Sequence, residues 1–114
     1  MNKKERIEET LTSYQKHGWQ LRRILLRPET ISEVGAQQDL AGARVQQAEI
    51  DALWFSRPSH QGREAWELRI VGETQYALFE TFEPDEAEED REELRLEMEA
   101  RMREYVGGGT NDGR

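Results

Sequence analysis

The sequence predicts an α+β fold: an N-terminal helix, an antiparallel β-meander of about four strands, and a long C-terminal helix packed on one sheet face. Three observations carry this. Apolar residues recur at helical spacing near both ends, first Ile7, Leu11 and Tyr14, then Leu94, Met98, Met102 and Tyr105. Between them lie short runs rich in β-branched and aromatic residues, broken by Pro or Gly. The chain has 114 residues, which suits one domain. We read it as residues 1–106, followed by a flexible Gly-rich tail at 107–114.

The first helix runs from Lys3 to His17, with charged residues between its apolar positions and Gly18 just beyond its end. Lys3, Lys4 and Arg6 oppose the helix dipole, so its first turn is expected to fray. Trp19 to Leu26 (WQLRRILL) is the first strand, ended by Arg27-Pro28. Arg22 and Arg23 are adjacent, and alternation sends them to opposite faces. One of them then lies near buried surface and needs an acid there.

Residues 29–49 are ambiguous. PETISEV fits one or two helical turns with Pro28 at the first position. Asp39 is placed to cap a further helix, because Ala41, Val45, Ala48 and Ala52 share helical spacing, although Gly35 and Gly42 weaken both assignments. A short helix and an irregular connection are expected.

Ile50 to Arg57 (IDALWFSR) is the second strand, closed by Pro58, and SHQGRE is a loop. Ala65 to Val71 and Gln75 to Phe82 form a hairpin around Gly72-Glu73. A turn of two or four residues puts Trp66, Leu68, Ile70, Ala77 and Phe79 on one core face. The other face then carries Arg69, Tyr76, Leu78 and Phe82, more apolar than solvent contact requires. In the second strand Trp54 and Phe55 are neighbours, so each face receives an aromatic. Either residues 29–49 or a chain end covers this second face, or it is a homodimer or ligand surface.

The last helix is expected from Pro84 to Val106, stopping at Gly107. Its first half holds most of the net charge. Glu83 to Glu93 contains eight acids and one base, a net of −7 against −8 for the whole chain. The apolar stripe begins only at Leu94, so the acidic half looks like an overhang. Its acids at i, i+4 spacing repel one another, at roughly 0.2–0.5 kcal/mol per pair.

Composition excludes several function classes. The absence of cysteine removes disulfide scaffolds, thiolate zinc sites and thiol nucleophiles. His17 and His60 are far apart in sequence, and no HExxH, GxSxG, P-loop or GxGxxG pattern occurs. A carboxylate pair of Asp51 with Glu67 or Glu80 is the one acid–base arrangement worth testing. The acidic block lacks the ligand spacing and glycine of a calcium loop. No catalytic, metal or cofactor site is expected. Acidity argues against nucleic acid and anionic membranes, and no apolar run is long enough to span a bilayer. The expected location is the cytoplasm.

What remains is a non-catalytic protein-interaction module that binds itself, as a homodimer, or a basic protein partner. Glu88, Glu89, Glu92 and Glu93 are the candidate partner-binding residues, unless the block is only a solvated helix start or serves as an internal dock for Arg22, Arg23 or Arg27. Arg22, Trp54, Phe55, Arg69, Tyr76 and Leu78 are candidates for an interface or pocket. The alternative is a small-ligand-binding domain or small enzyme, with a pocket between the sheet and residues 29–49.

Overall fold

The computed structural model describes residues 2–36 and 38–111, with side chains described through 107. It is an α+β fold whose sheet has six strands rather than about four. In chain order the elements are α1 (Lys3–Lys16), β1 (Gln20–Leu26), α2 (Pro28–Val34), β2 (Asp39–Leu40), β3 (Ala43–Gln47), β4 (Ala52–Pro58), β5 (Glu64–Ile70), β6 (Ala77–Phe82) and α3 (Glu88–Asn111). The sheet order is β2-β3-β1-β4-β5-β6. Helices α1 and α2 lie on one face and α3 on the other, so the sheet is covered on both sides.

Helix α1 does not begin on unsupported lysines. The Asn2 side chain accepts from the Glu5 backbone N–H at 2.8 Å, and the Asn2 N–H donates to the Glu5 carboxylate at 3.2 Å. This reciprocal cap satisfies first-turn donors. Lys3 turns back to Asp51 at 3.0 Å, so its charge is matched instead of opposing the dipole alone. Ile7 and Leu11 are buried against the sheet, each contributing roughly 1.5–3 kcal/mol of transfer free energy.

The short helix expected within residues 29–49 is α2, but residues 39–47 form two strands instead of an irregular connection or the further helix that Asp39 is placed to cap. Ala41 and Gly42 both take positive φ, at 53° and 86°. That is the two-residue hairpin geometry, closed by the Leu40–Ala43 pair. Ala43, Arg44, Val45 and Gln46 then alternate inward and outward, and Ile24 pairs with Val45 in a parallel ladder. Parallel neighbours need a crossover, which α2 supplies. The sheet is therefore mixed, and β1 to β4 are not a simple meander.

Two shifts of phase redirect side chains. In β1 the register against β4 slips between Leu21 and Arg23. The extra residue lets Arg22 and Arg23 both reach the α3 side, towards Trp66 and Glu92, where simple alternation separates them. Between β5 and β6, the Ile70 N–H donates to the Tyr76 carbonyl, and Leu68 pairs with Leu78. The loop is 71–75, an odd number of residues, instead of two or four. Parity reverses: Leu78 and Phe82 join the α3 face, while Ala77 and Phe79 share the α1 face with Glu67 and Arg69.

The cores are separate. Ile7, Leu11, Trp19, Ile24, Leu53 and Phe55 pack under α1, and Leu25, Trp54, Trp66, Leu68, Phe82, Met98 and Met102 pack under α3. Trp54 and Phe55 are both fully buried, one in each core. The second apolar face is thus covered by the N-terminal helix, a chain end. Helix α3 passes Gly107 and runs to Asn111; a glycine costs a helix only about 1 kcal/mol relative to alanine. Of the expected tail, residues 112–114 lie outside the described residues.

Candidate functional site

The acidic block is a turn followed by a helix, not a continuous helix from Pro84. Glu86 N–H donates to the Glu83 carbonyl at 3.2 Å, and the Glu86 carboxylate accepts from the Glu83 N–H at 2.7 Å. Pro84 and Asp85 sit in this turn. The Ala87 carbonyl accepts the first helical bonds, from the Asp90 and Arg91 amides. Asp85 and Glu86 therefore precede α3, and their expected helical repulsion with Glu89 and Asp90 does not arise in a shared helix.

The inner face of the acidic half is packed by arginines. Arg95 is only 2 % exposed, with its guanidinium 4.4 Å from the centre of the Trp66 ring and 5.7 Å from that of Phe82. It donates to Glu88, and to Glu92 from Nε at 3.0 Å. Arg23 of β1 reaches the same Glu92 through both guanidinium nitrogens, at 2.6 and 3.2 Å. Arg22 lies 5.6 Å from the centre of the Trp66 ring. Arg91 donates to the Glu83 carbonyl at 2.7 Å and lies 3.5 Å from Glu64. The Arg23 hydrogen bonds, joined by those of Arg95, hold the Glu92 carboxyl below its ordinary range despite partial burial. The need for an acid near Arg22 or Arg23 is thus met by Glu92.

The outer face is different. Glu89, Asp90, Glu93 and Glu97 are exposed, and their carboxylates have no ion pair or hydrogen bond among the described residues. Leu96, half exposed at 50 %, stands among them. The helix thus splits the candidate residues Glu88, Glu89, Glu92 and Glu93 into an inward pair and an outward pair. Farther along, Glu99 accepts from the Trp54 indole N–H at 2.8 Å and Arg103 lies near Glu49 at 3.7 Å, so these two residues of α3 turn to partners on the sheet side and not to each other.

The six candidate pocket residues do not meet. Arg22, Trp54, Tyr76 and Leu78 face α3, where Tyr76 stacks on Tyr105 at 3.6 Å. Phe55 and Arg69 lie on the α1 side, where Tyr14 stacks on Phe55 at 4.1 Å and Arg69 sits 5.8 Å from the Tyr14 ring centre. Near residues 29–49 there is an open concavity of about 370 Å³ lined by Arg27, Pro28, Glu29, Gln47, Ala48 and Glu49. None of the six residues lines it.

Asp51 is a structural tie that spacing alone does not reveal. It accepts from the Arg27 backbone N–H at 2.8 Å, Thr30 Oγ1 at 2.8 Å and Lys3 Nζ at 3.0 Å, tying α1 to the start of α2. Glu67 accepts from the Tyr14 hydroxyl, while Glu80 pairs across from Trp66 on the other face. The carboxylate pair considered for acid–base chemistry is absent. Burial, followed by the Glu67 hydrogen bond, pushes the Tyr14 hydroxyl up to about 12. Among the described residues no cluster of His, Asp and Glu is arranged to hold a metal ion, and no helix is long and apolar enough to cross a membrane. No protein-family model, curated protein or solved structure matches the chain.

Proposed function

We propose that the protein is a non-catalytic binding module that presents the outer face of α3 to a basic segment of a protein partner. One observation carries this reading: the inward acids of α3 are matched by Arg23 and Arg95, whereas Glu89, Asp90, Glu93 and Glu97 face solvent unmatched. Their spacing places like charges three or four residues apart along one stripe, a cost that the helix dipole offsets only for Glu89 and Asp90 in the first turn. Leu96 supplies an apolar contact within the stripe. A partner bearing Lys or Arg at matching spacing relieves the repulsion, so complementarity favours encounter and register.

The test is co-purification with the full chain, read by quantitative mass spectrometry, with cross-links mapped to α3. Glu89→Gln, Asp90→Asn, Glu93→Gln and Glu97→Gln are combined in one variant. A basic partner is expected to cross-link to α3 in the parent and to be depleted at least about tenfold by the combined variant, an effect near 1.4 kcal/mol. If the folded variant keeps every partner, the acidic face is not the docking surface.

A further inference from the structure

The geometry points to a second interaction surface, the open edge of β6, and to a second copy of this chain as its occupant. Strand β6 closes one side of the six-stranded sheet, and among the described residues its only strand neighbour is β5. The opposite edge, β2, is two residues long, a length that itself discourages pairing. Strand β6 runs for six residues, ALFETF, without Pro, Lys or a register slip. Glu80 is its one charged residue, and neither Pro, Lys nor a bulge blunts the edge.

Hydrogen-bond phase shows which groups face outward. The Ile70 N–H donates to the Tyr76 carbonyl at 3.0 Å. Pairs then alternate along the antiparallel ladder, so Leu78, Glu80 and Phe82 turn their backbone groups towards β5. Ala77, Phe79 and Thr81 turn theirs outward. Phe79 is also the most exposed of the large apolar side chains described, at 58 %, with its ring edge-on to Trp19 at 6.4 Å.

This edge is complementary to itself. An antiparallel pairing with its two-fold axis at Phe79 sets Phe79 opposite Phe79 of the second copy, and Ala77 opposite Thr81. All three outward residues exchange backbone bonds in that register. The two Phe79 rings lie side by side and cover each other. Glu80 falls opposite Leu78 of the other copy, so the only charged residue in the strand avoids its own symmetry mate. A register centred on Glu80 does the reverse and is disfavoured. The product is a continuous twelve-stranded sheet, built from two sheets of six.

Sedimentation velocity on the full chain across the micromolar range tests this. The expected result is a concentration-dependent species of twice the monomer mass. Phe79→Lys is expected to abolish it by placing like charges at the axis. Thr81→Pro is expected to do the same by removing an outward N–H while leaving the β5 ladder intact. Circular dichroism establishes that each variant is folded, and Phe79→Lys alone suffices should Thr81→Pro fail that check. In a chain without cysteine, Phe79→Cys is expected to give a disulfide-linked dimer on mild oxidation, since facing Cα atoms of such a pair lie about 5.5 Å apart. Leu96→Cys, on the far side of α3, is expected to stay monomeric. A strictly monomeric parent, a dimer that survives in folded Phe79→Lys, or equal oxidation of the two cysteine variants overturns the proposal.

Discussion

Single side chains in this protein carry unequal burdens, and Tyr14 is the clearest to titrate. Its ring stacks on Phe55 and lies near the Arg69 guanidinium, and its hydroxyl donates to Glu67. Ionising it places a second negative charge beside Glu67 in a half-buried site. Folding therefore favours the protonated hydroxyl, whose value rises from 10.0 to about 12. The sign follows from linkage: the unfolded chain loses this proton near pH 10, whereas the folded chain keeps it. The contribution is fully present below pH 10 and is lost as pH rises towards about 12. Absorbance of the phenolate is expected to show a late-titrating component that is missing in Tyr14→Phe. That variant is also expected to lose stability less steeply over the same alkaline range. A Tyr14→Phe titration identical to the parent would remove Glu67 and burial as the cause.

At the level of elements, α3 shows how far an amphipathic pattern can mislead when cations sit in the stripe. Reading only apolar letters begins the stripe at Leu94, but the side facing the sheet includes Arg91 and Arg95 together with Met98 and Met102. The guanidiniums lie over Trp66 and Phe82 and so replace aliphatic packing. The overhang inferred from the late start of the apolar stripe is therefore an anchored segment. The signal was available: Arg91, Arg95, Met98 and Met102 follow an i, i+4, i+7, i+11 spacing. Arg95→Ala removes a buried side chain and leaves Glu88 and Glu92 with less positive charge. Because both carboxylates retain solvent contact, the loss should fall below that of a wholly buried pair, at roughly 2–3 kcal/mol. Urea unfolding measures it. Glu89→Ala, on the outer face, is expected to change stability by no more than about 0.5 kcal/mol. Equal effects of the two substitutions would mean that Arg95 does not anchor the helix.

For the molecule as a whole, the legible parts are those decided locally. Helix α1, the Pro28 start of α2, the main strands and α3 follow from period, proline and glycine. The errors arise where one residue changes phase or where a short segment fits two periods. The slip at Arg22, the five-residue loop 71–75 and the Ala41-Gly42 hairpin each reassign whole faces. The candidate site inherits this: the acidic block is visible in composition, but its division into matched and unmatched faces depends on where β1 delivers Arg23. That division also predicts the response to salt. Inner pairs are partly sheltered, so screening acts mainly on the exposed stripe, over a Debye length of about 8–10 Å at physiological ionic strength. Glu89–Glu93, Glu93–Glu97 and Asp90–Glu93 together cost about 1 kcal/mol at low salt, worth roughly 4 °C in the unfolding midpoint. The midpoint, followed by tryptophan fluorescence on dilute Phe79→Lys protein to suppress pairing at β6, is expected to rise as sodium chloride is added. Adding the four outer-face substitutions should raise the low-salt midpoint and flatten that rise. A midpoint that falls with salt would instead mean that the Arg23, Arg91 and Arg95 pairs dominate the electrostatic balance and that the outer stripe is not strained.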